Sequence, residues 1–237
     1  MSYALEYPIA ARAPASERAA FIRRTYGHLA GAILAFAAIE FVLLNLPGKD
    51  QFIRAMFASN MSWLILVGLF IGVSWLADSW ARSSTSVALQ YLGLSLYVLL
   101  EAVIFLPILY IASESPVFQD QHLIESAGIL TLGVFAGLTA AVFVTGRDFS
   151  FLGPILTVAG FLALGLIVAA VIFQFSLGLV FCFGMLALAS GYILYDTSNV
   201  LHHYRTDQHV AAALALFASV ALLFYYILRI LMAANRR

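Results

Sequence analysis

The sequence carries little charge. Only 10% of its 237 residues are Asp, Glu, Lys or Arg, whereas soluble domains have about 25%. Twelve basic and twelve acidic residues balance, so the chain offers no basic surface for nucleic acid. The single cysteine, Cys182, excludes an intramolecular disulfide, and its apolar surroundings predict a buried structural thiol. In place of charge the chain has 63% hydrophobic residues and a mean hydropathy of +0.98, which is the composition of an integral membrane protein.

Several signatures of catalysis are absent from the sequence. The only lysine is Lys49, outside the apolar runs, so no lysine in the last helix can form the Schiff base of a retinal protein. No Gly-x-Gly-Asp string supplies the second aspartate of an intramembrane aspartyl protease. Neither Gly-x-Ser-x-Gly nor His-Glu-x-x-His occurs either, although these motifs mark serine hydrolases and zinc proteases. We therefore expect no enzyme activity, no metal site and no cofactor.

Seven apolar runs approach the roughly 20 residues that cross a bilayer as a helix. They lack period-two alternation, which excludes a transmembrane barrel. The sequence thus predicts an all-α polytopic membrane protein, a bundle of seven transmembrane helices. The predicted spans are 25–46, 61–81, 87–112, 123–145, 152–174, 176–198 and 210–233.

The chain divides into a polar amino-terminal segment, residues 1–24, and one transmembrane domain, residues 25–237. If the amino terminus is cytoplasmic, most basic residues fall on that side, as the positive-inside rule requires. Seven spans then place the carboxyl terminus outside, and a re-entrant segment among the last two would reverse that end. The basic residues on the amino-terminal side are Arg12, Arg18, Arg23, Arg24, Arg82, Arg147 and Arg205.

Three pairs of glycines have the spacing of close helix contacts. They are Gly27 with Gly31, Gly68 with Gly72, and Gly133 with Gly137, and each pair lies on one helix face. In a polytopic protein this spacing favours packing within one chain over dimerisation, so we expect these faces to contact neighbouring helices.

Asp196 is a carboxylate near the end of an otherwise uncharged apolar run, Gly191-Tyr-Ile-Leu-Tyr-Asp196. A charged carboxylate near the bilayer centre costs roughly 2.5 to 3.5 kcal/mol on insertion scales, so such groups face a cavity or a partner. The last two spans form a hairpin around residues 202–209, and antiparallel helices would bring Asp196 level with Ser219. The alternative is that the helix ends early and leaves Asp196 at the interface.

Two stretches carry a family resemblance: Gly191-Tyr-Ile-Leu-Tyr-Asp196-Thr-Ser-Asn and Thr145-Gly-Arg-Asp-Phe-Ser-Phe-Leu-Gly153. They resemble the bacterial Bax inhibitor-1 family of transmembrane Bax-inhibitor-motif proteins. The likeness extends through 96–107, which resembles the family's third span, and more loosely through 212–231, which resembles its last. The resemblance implies a seven-helix bundle with the last helix central, acting as a pH-sensitive calcium leak. It also implies a pH sensor of two aspartates, the first of which maps onto Asp196.

The second aspartate of that sensor is replaced here by Ser219. A pair of carboxylates that share a proton cannot form between these positions. Glu101, near the centre of the third span, is a candidate for the missing charge and would share an ion path with Asp196. The other interpretation is that Glu101 is buried and protonated, with a hydrogen bond to a neighbouring helix.

Two further groups flank this site in the sequence. Asp78 and Arg82 are four residues apart, the spacing of an ion pair along one helix, and the resemblance also suggests Arg82 as a basic latch on Asp196. His202 and His203 near the last turn titrate close to neutral pH when unperturbed. They are candidate modulators of a pH response, with His203 on the Asp196 face if the helix continues, and solvated loop residues otherwise.

We therefore expect a calcium or cation leak in a bacterial inner membrane, with the lipid bilayer and calcium ions as partners. The alternative is an interaction protein, since some bacterial relatives are thought to modulate an AAA-type membrane protease. That role would use the polar amino terminus and the outer faces of the helices.

Overall fold

The computed structural model describes residues 7–83, 86–118 and 122–235. Over these ranges the chain is built from eight α-helices, preceded by a short 3₁₀ turn at Ala10–Arg12. All of the helices except α2 are long and apolar enough to cross a membrane, which confirms the predicted class. The helices are α1 (Ala15–Asn45), α2 (Lys49–Met56), α3 (Asn60–Ala81), α4 (Val87–Glu114), α5 (Leu123–Thr145), α6 (Leu152–Phe173), α7 (Gly178–His202) and α8 (His209–Ala234).

The first helix begins ten residues before the predicted start of the first span. Residues 15–24 are rich in Ala, Glu and Arg, which are strong helix formers, and Pro14 occupies the position just before the helix. Hydropathy detects only the apolar part of α1, so the polar first turns were missed. As a result α1 crosses the boundary at residue 24 between the two predicted segments.

The connection after α1 contains the short helix α2, which hydropathy also missed. Gly48, with φ of +90°, makes the turn into α2, and this backbone conformation is easiest for glycine. Lys49 then ties the helix down, because its Nζ donates to Leu44 O at 2.6 Å and to Glu114 Oε1 at 2.7 Å. Since Ile53 and Met56 are its only buried residues, α2 lies against the end of the bundle.

The last helix, α8, occupies the centre of the bundle. In its most apolar window 72% of the residues are buried, against 6% in α3 and 11% in α6. It packs against α7, α1, α5, α4 and α3. The run Ala211, Ala212 and Ala213, which is fully buried, lets several helices approach its backbone together. The expectation of a central last helix is confirmed.

The start of α1 and the turn between α7 and α8, residues 203–208, lie at the same end of the bundle. They are joined through the backbone: Ile9 forms an antiparallel bridge with Arg205. Ala10 N donates to Tyr204 O at 2.9 Å, and Thr206 Oγ1 donates to a Glu17 carboxylate oxygen at 2.6 Å. The amino-terminal segment is therefore part of this end of the fold.

The predicted contacts of the paired glycines are wrong. A Cβ added at any of the six would meet nothing within 4 Å, so these faces do not press against another helix of this chain. The closest approach is instead at Gly93, where a Cβ would lie 2.4 Å from Ala77 O and 2.7 Å from Ala81 N. Glycine spacing identifies a common face but not what covers it. Between α6 and α7, a Cβ would also lie 2.9 Å from the Tyr192 hydroxyl at Gly160 and 2.8 Å from Leu156 Cδ2 at Gly191.

Candidate functional site

Asp196 lies inside the bundle and is only 8% exposed. The helix that carries it continues for six more residues to His202, so Asp196 does not sit at a helix end. The neighbouring Thr197 and Ser198 are fully buried as well. The interpretation of Asp196 as an interfacial residue is therefore wrong, because α7 extends one turn further than the apolar run suggests.

Ser219 on α8 is the direct partner of Asp196. Its Oγ donates to Asp196 Oδ2 at 2.5 Å, and the side chain is itself 5% exposed. The hairpin register expected from the sequence thus brings the two residues together. Where a second aspartate would place two negative charges in contact, a hydroxyl here satisfies one oxygen of a single carboxylate.

Asp78 and Arg82 lie beside this pair, at the end of α3. Arg82 Nε is 2.8 Å from Asp78 Oδ2, an ion pair one helical turn apart, and both side chains are partly exposed. The Arg82 guanidinium also lies 6.0 Å from the centroid of the Tyr204 ring. Its hydrogen bond to Asp78 raises the pKa of Arg82, so this cation stays charged at all physiological pH values.

Arg82 forms its salt bridge with Asp78 and not with Asp196. Its direct salt-bridge partner is Asp78, and it acts on Asp196 through its charge rather than through a salt bridge. Burial raises the pKa of Tyr204, which packs beneath Arg82, to about 12, so this ring remains a neutral phenol. The Arg82–Tyr204 contact connects the end of α3 to the α7–α8 turn.

Glu101 lies in the middle of α4 and is 6% exposed. The side chain that interacts with it is Tyr97, one turn earlier on the same helix. Tyr97 is also within electrostatic reach of Asp196. Tyr97, Glu101 and Asp196 all line the same cavity.

These side chains share one cavity of about 1260 Å³. Along α8 its lining extends from Leu214 to Ala233, about 29 Å at the helical rise per residue, which is close to the roughly 30 Å of a bilayer core. At one end the lining includes Phe57 and Ser176, next to the turns opposite the amino terminus. The serine, tyrosine and charged side chains along it are Ser74, Asp78, Tyr97, Glu101, Ser176, Tyr192, Asp196, Ser219, Tyr225, Tyr226 and Arg229.

Arg82 and Tyr204 lie just outside the cavity, beyond Asp78. The cavity thus extends from the end opposite the amino terminus past the Asp196–Ser219 pair to Leu214 and Asp78. The Arg82–Tyr204 contact and the docked amino-terminal segment lie between that pair and the near end. The chain therefore has a long, mostly apolar space with a few polar side chains along it and an occluded end.

The two histidines lie outside the cavity, at the α7–α8 turn. Helix α7 ends at His202, and His203 turns away from Asp196 toward the α5–α6 loop, so the continued helix face is not formed. His203 Nε2 is 3.1 Å from Asp148 Oδ2, whereas His202 Nδ1 is 3.0 Å from the Ser198 carbonyl one turn back. Only His203 therefore links two segments of the chain.

Asp148 is the centre of that loop contact. Ser198 Oγ donates to Asp148 Oδ1 at 3.2 Å and accepts from Phe149 N at 2.8 Å. The backbone N–H of Ser150, followed by the contact with His203, holds the pKa of Asp148 down at about 2. Since Ser198 is two residues from Asp196, the α5–α6 loop is fastened close to the buried site.

Sequence reasoning missed two kinds of residue. Tyr97 and Tyr204 gave no signal, because a tyrosine in an apolar run is ordinary. Glu40 did give one, a carboxylate in an apolar run, and the structure makes it unusual: it is 4% exposed, and neither carboxylate oxygen has a hydrogen-bond partner. Glu40 belongs to α1 and lines neither the cavity described above nor the groove described below.

The arrangement suits a weakly held cation better than a fixed one. Within the described ranges, no three His, Cys, Asp or Glu side chains come together as metal ligands. The oxygens of Asp78, Glu101, Asp196 and Ser219 are instead spread along the cavity. Hard cations are bound by such carboxylate and hydroxyl oxygens, and separated sites allow an ion to leave as well as to enter.

The fold and this site define a multi-pass α-helical membrane protein with a central last helix and a buried acidic site. The chain belongs to the Bax inhibitor-1 family, since the family model described as "Inhibitor of apoptosis-promoting Bax1" matches residues 18–237. The resemblance noted in the sequence is therefore confirmed.

Similar proteins come from bacteria and eukaryotes. An uncharacterized protein of Pseudomonas aeruginosa, PA2604, is 28% identical over 88% of this chain and 87% of its own length. A BI1-like protein of Arabidopsis thaliana is 30% identical, over 89% and 79%. Bax inhibitor 1 of Schizosaccharomyces pombe is 29% identical, over 91% and 77%. The similarity thus spans nearly the whole bundle.

Proposed function

We propose that this protein is a pH-sensitive cation leak, passing calcium across a bacterial inner membrane with its amino terminus in the cytoplasm. The observation that carries the proposal is the buried Asp196–Ser219 pair at the inner end of a carboxylate-lined cavity. Ionisable groups within a membrane bundle mark ion or proton paths by default.

Asp196 is the titrating group of this proposal. In its charged form it attracts a divalent cation into the inner end of the cavity, and Glu101 and Asp78 supply further negative oxygens along the way. Protonation of Asp196 removes that charge from the inner part of the cavity. Calcium flux is therefore expected to increase with pH, with Asp196 as the principal determinant of that dependence.

In this proposal the gate is the Arg82–Tyr204 contact at the occluded end of the cavity. Arg82 presents a fixed positive charge there, held by Asp78 and by the Tyr204 ring, and a cation leaving the cavity must pass it. When Asp196 is charged, it competes with Asp78 for Arg82, which weakens the contact between α3 and the α7–α8 turn. This gives Arg82 and Asp78 the role of a latch.

Calcium flux into dye-loaded liposomes tests the proposal directly. Purified wild type, Asp196→Asn and Glu40→Gln are compared at about pH 6 and pH 8. The matched control is Glu40→Gln, because it changes another buried carboxylate to its amide, but outside the cavity. We expect the calcium flux of wild type and of Glu40→Gln to be higher at pH 8 than at pH 6. In Asp196→Asn the flux at pH 8 should be at least fivefold lower than in wild type, and the difference between the two pH values should disappear.

Two results would contradict the leak. Flux no greater than that of empty liposomes at either pH removes the function itself. Flux that is pH-dependent but unchanged by Asp196→Asn removes the assigned residue. A potassium-loaded control that holds the membrane potential constant ensures that a difference reflects the protein and not the driving force.

The interaction role with an AAA-type membrane protease predicts a different pattern. Deleting residues 1–20 would abolish function, while Asp196→Asn would spare it. Such a deletion also removes the contacts of Ala10 and Glu17 with the α7–α8 turn. A shorter deletion of residues 1–7 keeps these contacts and therefore separates a partner-binding tail from the support of the turn.

A further inference from the structure

A second cavity of about 620 Å³ lies on another face of α4, between α1 and α4. Its walls are mostly small or apolar, and Arg23, Arg24 and His28 stand at one end. On α1 it extends to Ile39, about 22 Å from Arg24 at the helical rise per residue. The apolar and small side of this groove consists of Gly27, Gly31, Ala32, Ala35, Ile39, Leu94, Val98 and Leu99.

The glycines keep the groove open. A Cβ at Gly27 or Gly31 would meet nothing within 4 Å, so α1 does not close against α4 along this face. Leu99, on the facing wall, is 51% exposed. The groove is therefore accessible from the side of the bundle, where the bilayer lies.

The two arginines at the head of the groove are exposed and form no salt bridge with a carboxylate of the described residues. Both ring nitrogens of His28, by contrast, are hydrogen-bonded within the protein. Its Nδ1 is 2.7 Å from Arg24 O, and its Nε2 is 2.8 Å from the Tyr91 hydroxyl. The histidine thus fixes the wall, while the guanidinium groups remain available for an anion.

The position of these arginines along α1 matches the membrane surface. The helix has 31 residues, about 46 Å at the helical rise per residue, which exceeds the roughly 30 Å hydrocarbon core. From Gly27 to its end at Asn45, α1 covers about 28 Å. Arg23 and Arg24 therefore stand at headgroup level when the apolar part of α1 fills the core.

We propose that this groove binds an anionic phospholipid, with its phosphate on Arg23 and Arg24 and an acyl chain along Gly27, Gly31 and Ala35. Charge and shape select this occupant: two free guanidinium groups suit a phosphate, and the open apolar groove beneath them suits a hydrocarbon chain. The length of the groove exceeds the roughly 15 Å depth of one leaflet, half of the hydrocarbon core. One chain of a lipid in that leaflet therefore fits within it.

Lipid titrations of the detergent-purified protein, followed by native mass spectrometry, test the charge requirement. The probes are phosphatidylglycerol, which is anionic, and phosphatidylethanolamine, which is zwitterionic. We expect the Arg23→Gln/Arg24→Gln variant to bind phosphatidylglycerol roughly ten- to thirtyfold more weakly and to bind phosphatidylethanolamine as wild type does. The control, Arg12→Gln/Arg18→Gln, removes the same charge from exposed positions outside the groove and should bind both lipids normally.

The apolar requirement needs its own variants. Gly27→Leu/Gly31→Leu fills the groove without touching the arginines, and Gly133→Leu/Gly137→Leu adds the same side chains to an open face of α5. We expect only the first to weaken phosphatidylglycerol binding, by about tenfold. Inorganic phosphate in excess should displace little of the bound lipid, because it gains nothing from the apolar wall.

Several results would overturn the proposal. An equal loss in the Arg12→Gln/Arg18→Gln control would indicate a general effect of surface charge. Normal lipid binding in the filled groove, or full displacement by inorganic phosphate, would indicate a headgroup site without a bound chain. Loss of a dimer in Gly27→Leu/Gly31→Leu, with lipid binding unchanged, would assign the groove to contact between two copies of the chain.

Discussion

Asp196 and Glu40 are both carboxylates buried in membrane-spanning helices, yet their surroundings differ. Asp196 accepts a hydrogen bond from Ser219 and lines the large cavity. Glu40 has no hydrogen-bond partner for either oxygen and lies outside both the cavity and the groove. Burial alone therefore does not distinguish the two carboxylates. Contact with a partner and with a space that an ion can enter distinguishes Asp196.

The difference also concerns stability. A buried polar group without a partner costs about 1 to 3 kcal/mol, more than a satisfied one. Glu40 is thus expected to lower the stability of the α1 side of the bundle. Asp196 has part of that cost offset by the hydrogen bond from Ser219 and by the nearby charge of Arg82.

Among changes to the surroundings of Asp196 and Glu40, Ser219→Asp should have the largest effect. It places a second carboxylate next to Asp196 where wild type has a hydroxyl. Two carboxylates in contact cannot both be charged easily, so the pair retains one proton to higher pH. The midpoint of the pH dependence of calcium flux should rise by roughly 1 to 3 pH units, as measured in liposomes between pH 5 and pH 9.

A double variant is the control for that result. Asp196→Asn/Ser219→Asp carries one carboxylate again, now on α8, and should return toward the wild-type midpoint. An unchanged midpoint in Ser219→Asp alone would mean that the two positions do not interact in the conducting state.

Glu40→Met should stabilise the protein, because a thioether chain of similar volume replaces a carboxyl group that has no partner. The expected gain is about 1 to 3 kcal/mol, seen as a higher apparent melting temperature in detergent, with calcium flux unchanged. A lower melting temperature would show that Glu40 has a favourable role in the folded bundle. Glu40→Gln, which stays polar, should gain less.

Ser219→Ala should leave Asp196 buried without its hydrogen-bond donor, as Glu40 is in the wild type. Hydrogen bonds between membrane helices contribute about 0.6 kcal/mol on average and up to roughly 1.7, and the charged acceptor favours the upper part of that range. We expect a loss of about 1 kcal/mol in detergent unfolding. Ser219→Thr retains the hydroxyl and should lose less; an equal loss would contradict the assignment to the hydrogen bond.

The smallest effect should come from protonation of Asp148, an exposed carboxylate that serves as a comparison for the two buried ones, Asp196 and Glu40. Its pKa in the folded protein is about 2, below the ordinary 3.8, so the charged form is favoured by folding. This contribution is complete above about pH 5 and disappears as the pH falls from about 4 to 2. Hydrogen exchange at the Ser150 amide should accelerate over that interval.

Asp148→Asn provides the comparison for the acid transition. In this variant the Ser150 amide should exchange at a rate that changes little between pH 5 and pH 2, after correction for intrinsic rates. The same acid-dependent acceleration in Asp148→Asn would assign it to another group.

The parts of the fold that follow from local pattern could be predicted from the sequence. Seven apolar runs are sufficient for seven spans, and the short polar turn between the last two fixes the register that pairs Asp196 with Ser219. The dense packing of α8 agrees with its small residues, Ala211 to Ala213. These features depend on periodicity and on neighbouring segments, which a single sequence contains.

Other features depend on contacts between distant segments, which no local pattern records. Glu17 and Thr206 are joined by a hydrogen bond although they are 189 residues apart. The paired glycines were assigned to helix contacts because spacing gives a face but not its neighbour. Glu40 stands out as a charge in an apolar run, yet only the three-dimensional surroundings show that it lacks a partner.

The central position of α8 has a consequence for biosynthesis. Domains are made from the amino terminus at about 5 to 20 residues per second, so roughly 10 to 40 seconds separate the end of α1 from the end of α8. Until α8 is made, the five membrane helices that pack against it, α1, α3, α4, α5 and α7, lack their central partner. A ribosome that stops before residue 209 leaves a chain without its core, and such a chain exposes the faces by which a membrane quality-control system distinguishes unfinished proteins.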